Sequence, residues 1–154
     1  MITIGFRAEP SAVNWAVVEG TKETPIKIDA GTLTTPATYD EAAALKWFRE
    51  KVTELVCGLK PEVAAVRYPE TFLKSARQAS LNQRCRVEGV IVETLQSLGL
   101  RVLTGSLATI SKNLGSKAAK HYLDAPDLRG LNWEKYRPNV KEAILVAASA
   151  LPER

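Results

Sequence analysis

Histidine is all but missing from this chain, and cysteine is scarce. His121 is the single histidine among 154 residues, so a histidine-rich metal site or a histidine-paired catalytic nucleophile has almost nothing to build on. Cys57 and Cys85 are the only cysteines. Both fall within helical patterns and read as small core residues of a reducing, cytoplasmic compartment rather than as a disulfide or metal pair. No long apolar run occurs, which excludes a membrane-spanning helix, and the N-terminus lacks the charged-then-apolar layout of a signal peptide. No internal repeat, low-complexity stretch or long linker divides the sequence, so residues 1–154 are expected to form one domain.

What is present is an ordinary globular composition, 45% hydrophobic and 25% charged, in a chain long enough to bury a real core. The net charge of +4 is modest but unevenly placed. Between Thr71 and Leu123, eight bases (Lys74, Arg77, Arg84, Arg86, Arg101, Lys112, Lys117, Lys120) face only Glu88 and Glu93, a local charge of +6, while the remainder sums to −2. Such a bias points to a surface that meets a polyanion. The alternative is a solvated basic helix face with no partner.

Residues 2–8 and 12–19 alternate in the strand manner, and Val13, Trp15 and Val17 share one face of the second run. Only a turn-like "AEPS" separates them, which predicts a hairpin. "PIKIDAGTL" alternates again through Ile26, Ile28 and Ala30, making three antiparallel strands. The period then changes. Thr38 and Glu41 fit a capping box, and behind them Leu45, Phe48, Val52, Leu55, Val56 and Leu59 recur at helical spacing until Gly58 and Pro61 stop the pattern. "EVAAVRY" is nearly all apolar and suits a central strand buried on both faces; its polar exception is Arg67.

Ser75 and Gln78 form a second capping-box pattern, opening a helix of about 23 residues that ends near Gly99. Leu81, Cys85, Val92 and Leu95 share one face of it, with Glu88 inside the same stripe and Gly89 open to close approach. "LRVLTG" reads as a strand and "SLATISKNLGSKAAKHYL" as short helices broken at Gly115. Asp124–Arg137 reads as a loop. Asn139 and Glu142 would cap a last helix carrying Ala143, Ile144, Ala147 and Leu151 on its apolar face. This order predicts an α/β domain: a five-stranded mixed sheet with helices on both faces.

That order resembles the RNase H-like fold, and its details are most similar to the RuvC-type Holliday-junction resolvases. In that family the first strand ends glycine, hydrophobic, aspartate, proline, glycine. The matching residues here are Gly5, Phe6, Arg7, Ala8 and Glu9. The family's fourth strand ends in a glutamate, and "AAVRYPETF" puts Arg67 there, followed by Phe72 and Lys74. The Gly89–Val90 pair matches a glycine–valine pair in the family's long helix, and "SKNLGSKAAK" is similar to its basic, glycine-broken segment. Its last helix begins with two aspartates three apart; Asn139 and Glu142 stand at those positions. The family's acids hold two divalent ions about 4 Å apart. Guanidiniums are cationic and accept nothing, so the resemblance implies that Arg7, Arg67, Asn139 and Glu142 are the degenerate remains of a catalytic site, with no metal and no cofactor. It also places Arg7 and Arg67 side by side, needing an anion: Glu88 or Glu142 from within, or a phosphate from a ligand.

Three functions are open at this point. The first is a catalytically inactive RuvC-like domain that binds branched or duplex DNA through the basic segment 74–120, with Lys74, Arg77, Arg84, Lys112, Lys117 and Lys120 as contacts. The second is a Mg²⁺-dependent endonuclease with acids relocated to Glu9, Glu70 and Glu142. The third is a non-enzymatic structural or partner-binding module. The resemblance further implies a homodimer through the long helix around Gly89.

Overall fold

The computed structural model describes residues 1–70 and 78–154. β1 (Ile2–Ala8) and β2 (Ala12–Gly20) form the expected hairpin, and β3 (Pro25–Thr34) adds to it antiparallel. α1 (Glu41–Leu59) leads to β4 (Val63–Arg67), and α2 (Gln78–Ser97) to β5 (Arg101–Gly105). Next come α3 (Leu107–Leu114), α4 (Ala119–Leu123), the two-residue strands β6 (Asp127–Leu128) and β7 (Leu131–Asn132), and α5 (Pro138–Ser149). The five-stranded sheet runs β3-β2-β1-β4-β5, with β1, β4 and β5 mutually parallel. Among the described residues no helix is long and apolar enough to cross a membrane.

Strand alternation sorts the core into two layers. Ile4, Phe6, Ala8, Val13, Trp15, Val17, Ala64 and Val66 point to α1 and α2, where Phe48, Val52, Val56, Val87, Ile91 and Leu95 meet them. The intervening Ala16, Val18, Val63 and Ala65 point to α5, α3 and the buried Trp133. On this second face β1 presents only Thr3, Gly5 and Arg7. The Thr3 hydroxyl donates to the Ala147 carbonyl at 2.7 Å. Gly5 lies directly against the backbone of α5: a Cβ there would stand 2.9 Å from Ala147 Cα and closer still to the Ala143 oxygen and Ala147 nitrogen. The small side chains of "EAILVAASA" let the helix backbone settle this low on the sheet.

Several local expectations are corrected. The N-cap of α1 is Asp40, whose carboxylate accepts from the Ala43 amide at 2.8 Å; Thr38 and Glu41 do not form a box, and Glu41 instead pairs with Arg86 of α2 at 2.7 Å. A charged oxygen at the N-cap complements the helix dipole directly. α1 runs through Gly58 and closes on Lys60, held at φ 50° with its amide on the Val56 carbonyl. The buried residues of α2 are Val87, Glu88, Ile91, Thr94 and Leu95, so the stripe is rotated from the expected one; Cys85 is exposed and Leu81 and Val92 half-buried. Cys57 is exposed as well, because both cysteines fall beside the stripes that pack on the sheet. The Ser75 cap lies outside the described residues, as does Phe72.

Pro138 opens α5 with its φ already set for a helix, and neither Asn139 nor Glu142 caps it. The 124–137 loop contains the β6–β7 hairpin, turned by Arg129 and Gly130 at positive φ. It is anchored by Trp133, whose Nε1 donates to the Ala125 carbonyl at 2.9 Å. β3 does not hold its alternation: opposite Val17 and Val18 it bulges, and Ile26 is 58% exposed.

Candidate functional site

Arg7 and Arg67 are direct neighbours across the parallel β1–β4 pair. The two-residue period that turns Phe6 and Val66 toward α1 and α2 turns both guanidiniums toward α5. One carboxylate meets them. Glu142, one turn into α5, accepts from Arg7 Nε at 3.0 Å, and the same Oε2 lies 3.3 Å from Arg67 Nη1. The second approach is an ion pair without hydrogen-bond alignment: Arg67 Nε and Nη1 have no acceptor among the described residues, although Arg67 is only 8% exposed. Burial pulls the Arg67 guanidinium below its usual pKa; Glu142 opposes this, while Arg84 and Arg7 add to it by repulsion.

A second pair borders the first. Arg84 Nε donates to Glu88 Oε1 at 2.7 Å, one helical turn away on α2. Glu88 is 2% exposed, and loss of hydration raises its carboxyl above the ordinary value of 4.5 despite Arg84, Arg67 and Arg7 nearby. The folded state therefore holds this proton more tightly than the unfolded chain. Stability contributed by Glu88 should fall as pH rises from about 4.5 through its folded pKa and level off above it. Urea unfolding of Glu88→Gln across that range should lack this decline; an unchanged profile would refute the assignment.

The rim is held by Asn14, itself fully buried. Its Nδ2 donates to Glu9 at 2.8 Å and to the Arg7 carbonyl at 3.2 Å, while its Oδ1 accepts from Thr32 at 2.9 Å. Arg137 donates to the Thr32 hydroxyl at 3.0 Å. A cleft of about 240 Å³ opens beside these groups, lined by Arg7, Glu9, Pro10, Ser80, Leu81, Arg84 and Asn139. Asn14 was not singled out in the sequence because an asparagine in an apolar strand carries no pattern of its own. The i,i+4 spacing of Arg84 and Glu88 was a legible signal.

This donor set does not fit a pair of divalent ions. Two guanidiniums flank the one carboxylate at the strand ends, and each would repel a cation. Glu9 is engaged by Asn14, and Glu70 accepts from the Leu107 amide at 2.9 Å. Among the described residues no three His, Cys, Asp or Glu side chains gather in a group that could hold a metal, so Glu9, Glu70 and Glu142 are not brought together.

The basic segment is divided. Lys112, Lys117 and Lys120 line one groove of about 590 Å³ formed by α3, α4 and Glu70. Arg84 belongs to the buried cluster, Arg86 is paired with Glu41, and Lys74 and Arg77 lie outside the described residues. Gly89 is exposed on α2, with open space where its side chain would be.

Comparison of folds follows from this geometry. RuvC of Thermus thermophilus, solved in complex with Holliday junction substrate, matches with a TM-score of 0.76 at 15% identity, over 97% of this chain and 91% of that one. A separate Thermus thermophilus RuvC structure matches equally, over 92% of its chain. The protein has an RNase H-like, RuvC-type fold. The yeast mitochondrial Holliday junction resolvase matches with a TM-score of 0.62 at 8% identity, over 96% of this chain and 77% of that one. No protein-family model and no curated protein matches the sequence. On the RuvC-type fold the Arg7–Glu142–Arg67 cluster occupies the β1 and β4 ends and the head of the last helix, the positions from which the resemblance draws its acids.

Proposed function

We propose that this RuvC-type domain binds nucleic acid, branched or duplex DNA, and does not cut it. The observation that carries the reading is the Arg7–Glu142–Arg67 ion pair, which puts fixed positive charge where cleavage by two metal ions needs clustered carboxylates. The binding half is supported by Lys112, Lys117 and Lys120 on a single groove, in a fold that Thermus thermophilus RuvC presents to a Holliday junction substrate. Lysine contacts to phosphate would bring affinity that is sequence-tolerant and steeply salt-dependent. Lys74 and Arg77 extend the same basic run. The exposed face of α2 around Gly89 is the surface through which two copies would pair.

The test is a salt titration of DNA binding, comparing the native protein with a Lys112→Ala/Lys117→Ala/Lys120→Ala variant. Each lost phosphate contact should flatten the log–log salt slope by about one unit. Equal affinity and slope would mean that the lysines are merely solvated, which favours the partner-binding module. No strand cleavage is expected with Mg²⁺ or Mn²⁺; metal-dependent cutting by the purified protein would restore the nuclease.

A further inference from the structure

Arg129 sits where an arginine strains the backbone. In the turn between Leu128 and Leu131, Arg129 is held at φ 54° and Gly130 at φ 89°. Two consecutive positive φ values suit glycine, asparagine or aspartate, and a longer side chain there costs about 1–2 kcal/mol. The guanidinium offsets that cost with a fork. Its Nη2 donates to the Leu114 carbonyl at 2.6 Å, and its Nη1 donates to the Lys22 carbonyl. Leu114 ends α3, where free carbonyls form the negative pole of the helix, and Lys22 lies between β2 and β3. One cation on the β6–β7 hairpin thus ties the end of α3 to the β2–β3 turn. The acid within ion-pair reach is Glu23, 3.7 Å away and 69% exposed.

The segment that follows Leu114 carries the basic groove. Lys112 precedes the connection 115–118, Lys117 lies within it, and Lys120 follows on the five-residue α4, too short to hold its place alone. Among the described residues no ion pair fixes any of the three lysines. Their mutual placement therefore depends on what anchors the connection. Gly115, at φ 155°, is packed against that anchor: an added Cβ would stand 3.0 Å from the Tyr122 hydroxyl and 3.5 Å from Arg129 Nη2.

We propose that Arg129 is a positioning residue for nucleic-acid binding, an inference that rests on the lysine-groove reading. It clasps the α3–α4 connection so that Lys112, Lys117 and Lys120 engage phosphates together, and it does not itself touch the nucleic acid. Without the clasp, the lysines must be ordered at the moment of binding, which weakens association.

Two variants test this in the full chain. Arg129→Asn suits the backbone of the turn but removes the fork; Arg129→Lys keeps the charge without the fork. Amide hydrogen exchange comes first. The Gly115 amide, bonded to the Ser111 carbonyl at 3.1 Å, should exchange about tenfold faster in both variants, with the amides of β1 unchanged. Native exchange at Gly115, or equal acceleration in β1, overturns the clasp. DNA affinity is then measured against salt. Both variants should bind about tenfold more weakly, and the slope should flatten by about one unit for each lysine that disengages. A lowered melting temperature with the native slope would make Arg129 merely structural. Native binding by Arg129→Lys would leave its charge, not the clasp, as what matters. Either result overturns the proposal. Should the native protein bind no DNA, the lysine-groove reading falls and the binding role with it, while the exchange data still decide whether Arg129 fixes the connection.

Discussion

Glu142→Ala is expected to lower stability by about 3–5 kcal/mol, the usual cost of removing one member of a buried ion pair. The loss is large because Glu142 serves two cations: its Oε2 lies 3.0 Å from Arg7 Nε and 3.3 Å from Arg67 Nη1. Without it, Arg7 and Arg67 face each other across one strand pair, and Arg67 is too buried to recruit water. For a domain of this size the melting temperature should fall by about 10 °C. Glu142→Gln keeps an acceptor for Arg7 and should lose less. Replacing the buried cation as well, in Arg67→Met/Glu142→Met, should recover much of the loss, since apolar side chains remove the stranded charge. A Glu142→Ala protein that melts with the native one would show that the cluster contributes nothing to folding.

Gly5→Ala should be nearly as damaging, by about 3 kcal/mol. The added methyl would meet backbone atoms of α5: the Ala143 oxygen, the Ala147 nitrogen, and Ala147 Cα at 2.9 Å. None of these can rotate away. α5 would have to rise off the sheet, breaking the Thr3–Ala147 hydrogen bond and opening a layer in which every residue from Ala143 to Ser149 is buried. Gly58 is the matched control. It lies near the end of α1 with nothing within 4 Å of its added Cβ, so Gly58→Ala should stabilise by about 0.5–1 kcal/mol through helix propensity. Chemical denaturation of the two variants side by side checks both signs.

Much of this arrangement was legible in the sequence because strand alternation is a strict rule. "ITIGFRA" and "EVAAVR" each place an arginine two residues beyond a small residue on one face, so the pairing of Arg7 with Arg67 follows once β1 and β4 are adjacent. The resemblance to the RNase H-like fold supplied that adjacency. Helix faces were less legible. α2 carries apolar residues on several sides, and only packing against the sheet selected Val87, Ile91 and Leu95 over Leu81 and Cys85. α5 is buried almost all round, so its stripe of Ala143, Ile144, Ala147 and Leu151 did not decide which face Glu142 would join. The resemblance offered Glu142 beside Glu88 as the anion for Arg7 and Arg67, and the fold selects Glu142. Asn14, which ties Glu9, Thr32 and the Arg7 carbonyl together, depends on contacts from three strands and a loop. No local pattern encodes it.

The contacts of β1 with its helix layer have a kinetic consequence. Thr3 bonds to a carbonyl 144 residues away, and its partners on β4 are sixty residues distant. Chain entropy must be spent on closing these long loops before their contacts form, which slows folding relative to a helical bundle of the same size. A partly folded form whose sheet precedes the docking of α5 would leave that face of the sheet open. The part of its open face contributed by β1 and the end of β4 is then a hydroxyl, a glycine and two guanidiniums rather than a row of large aliphatic side chains. Two like charges, uncompensated until Glu142 arrives, repel a second half-folded chain approaching from that side. In such a form the two arginines would disfavour association through that face.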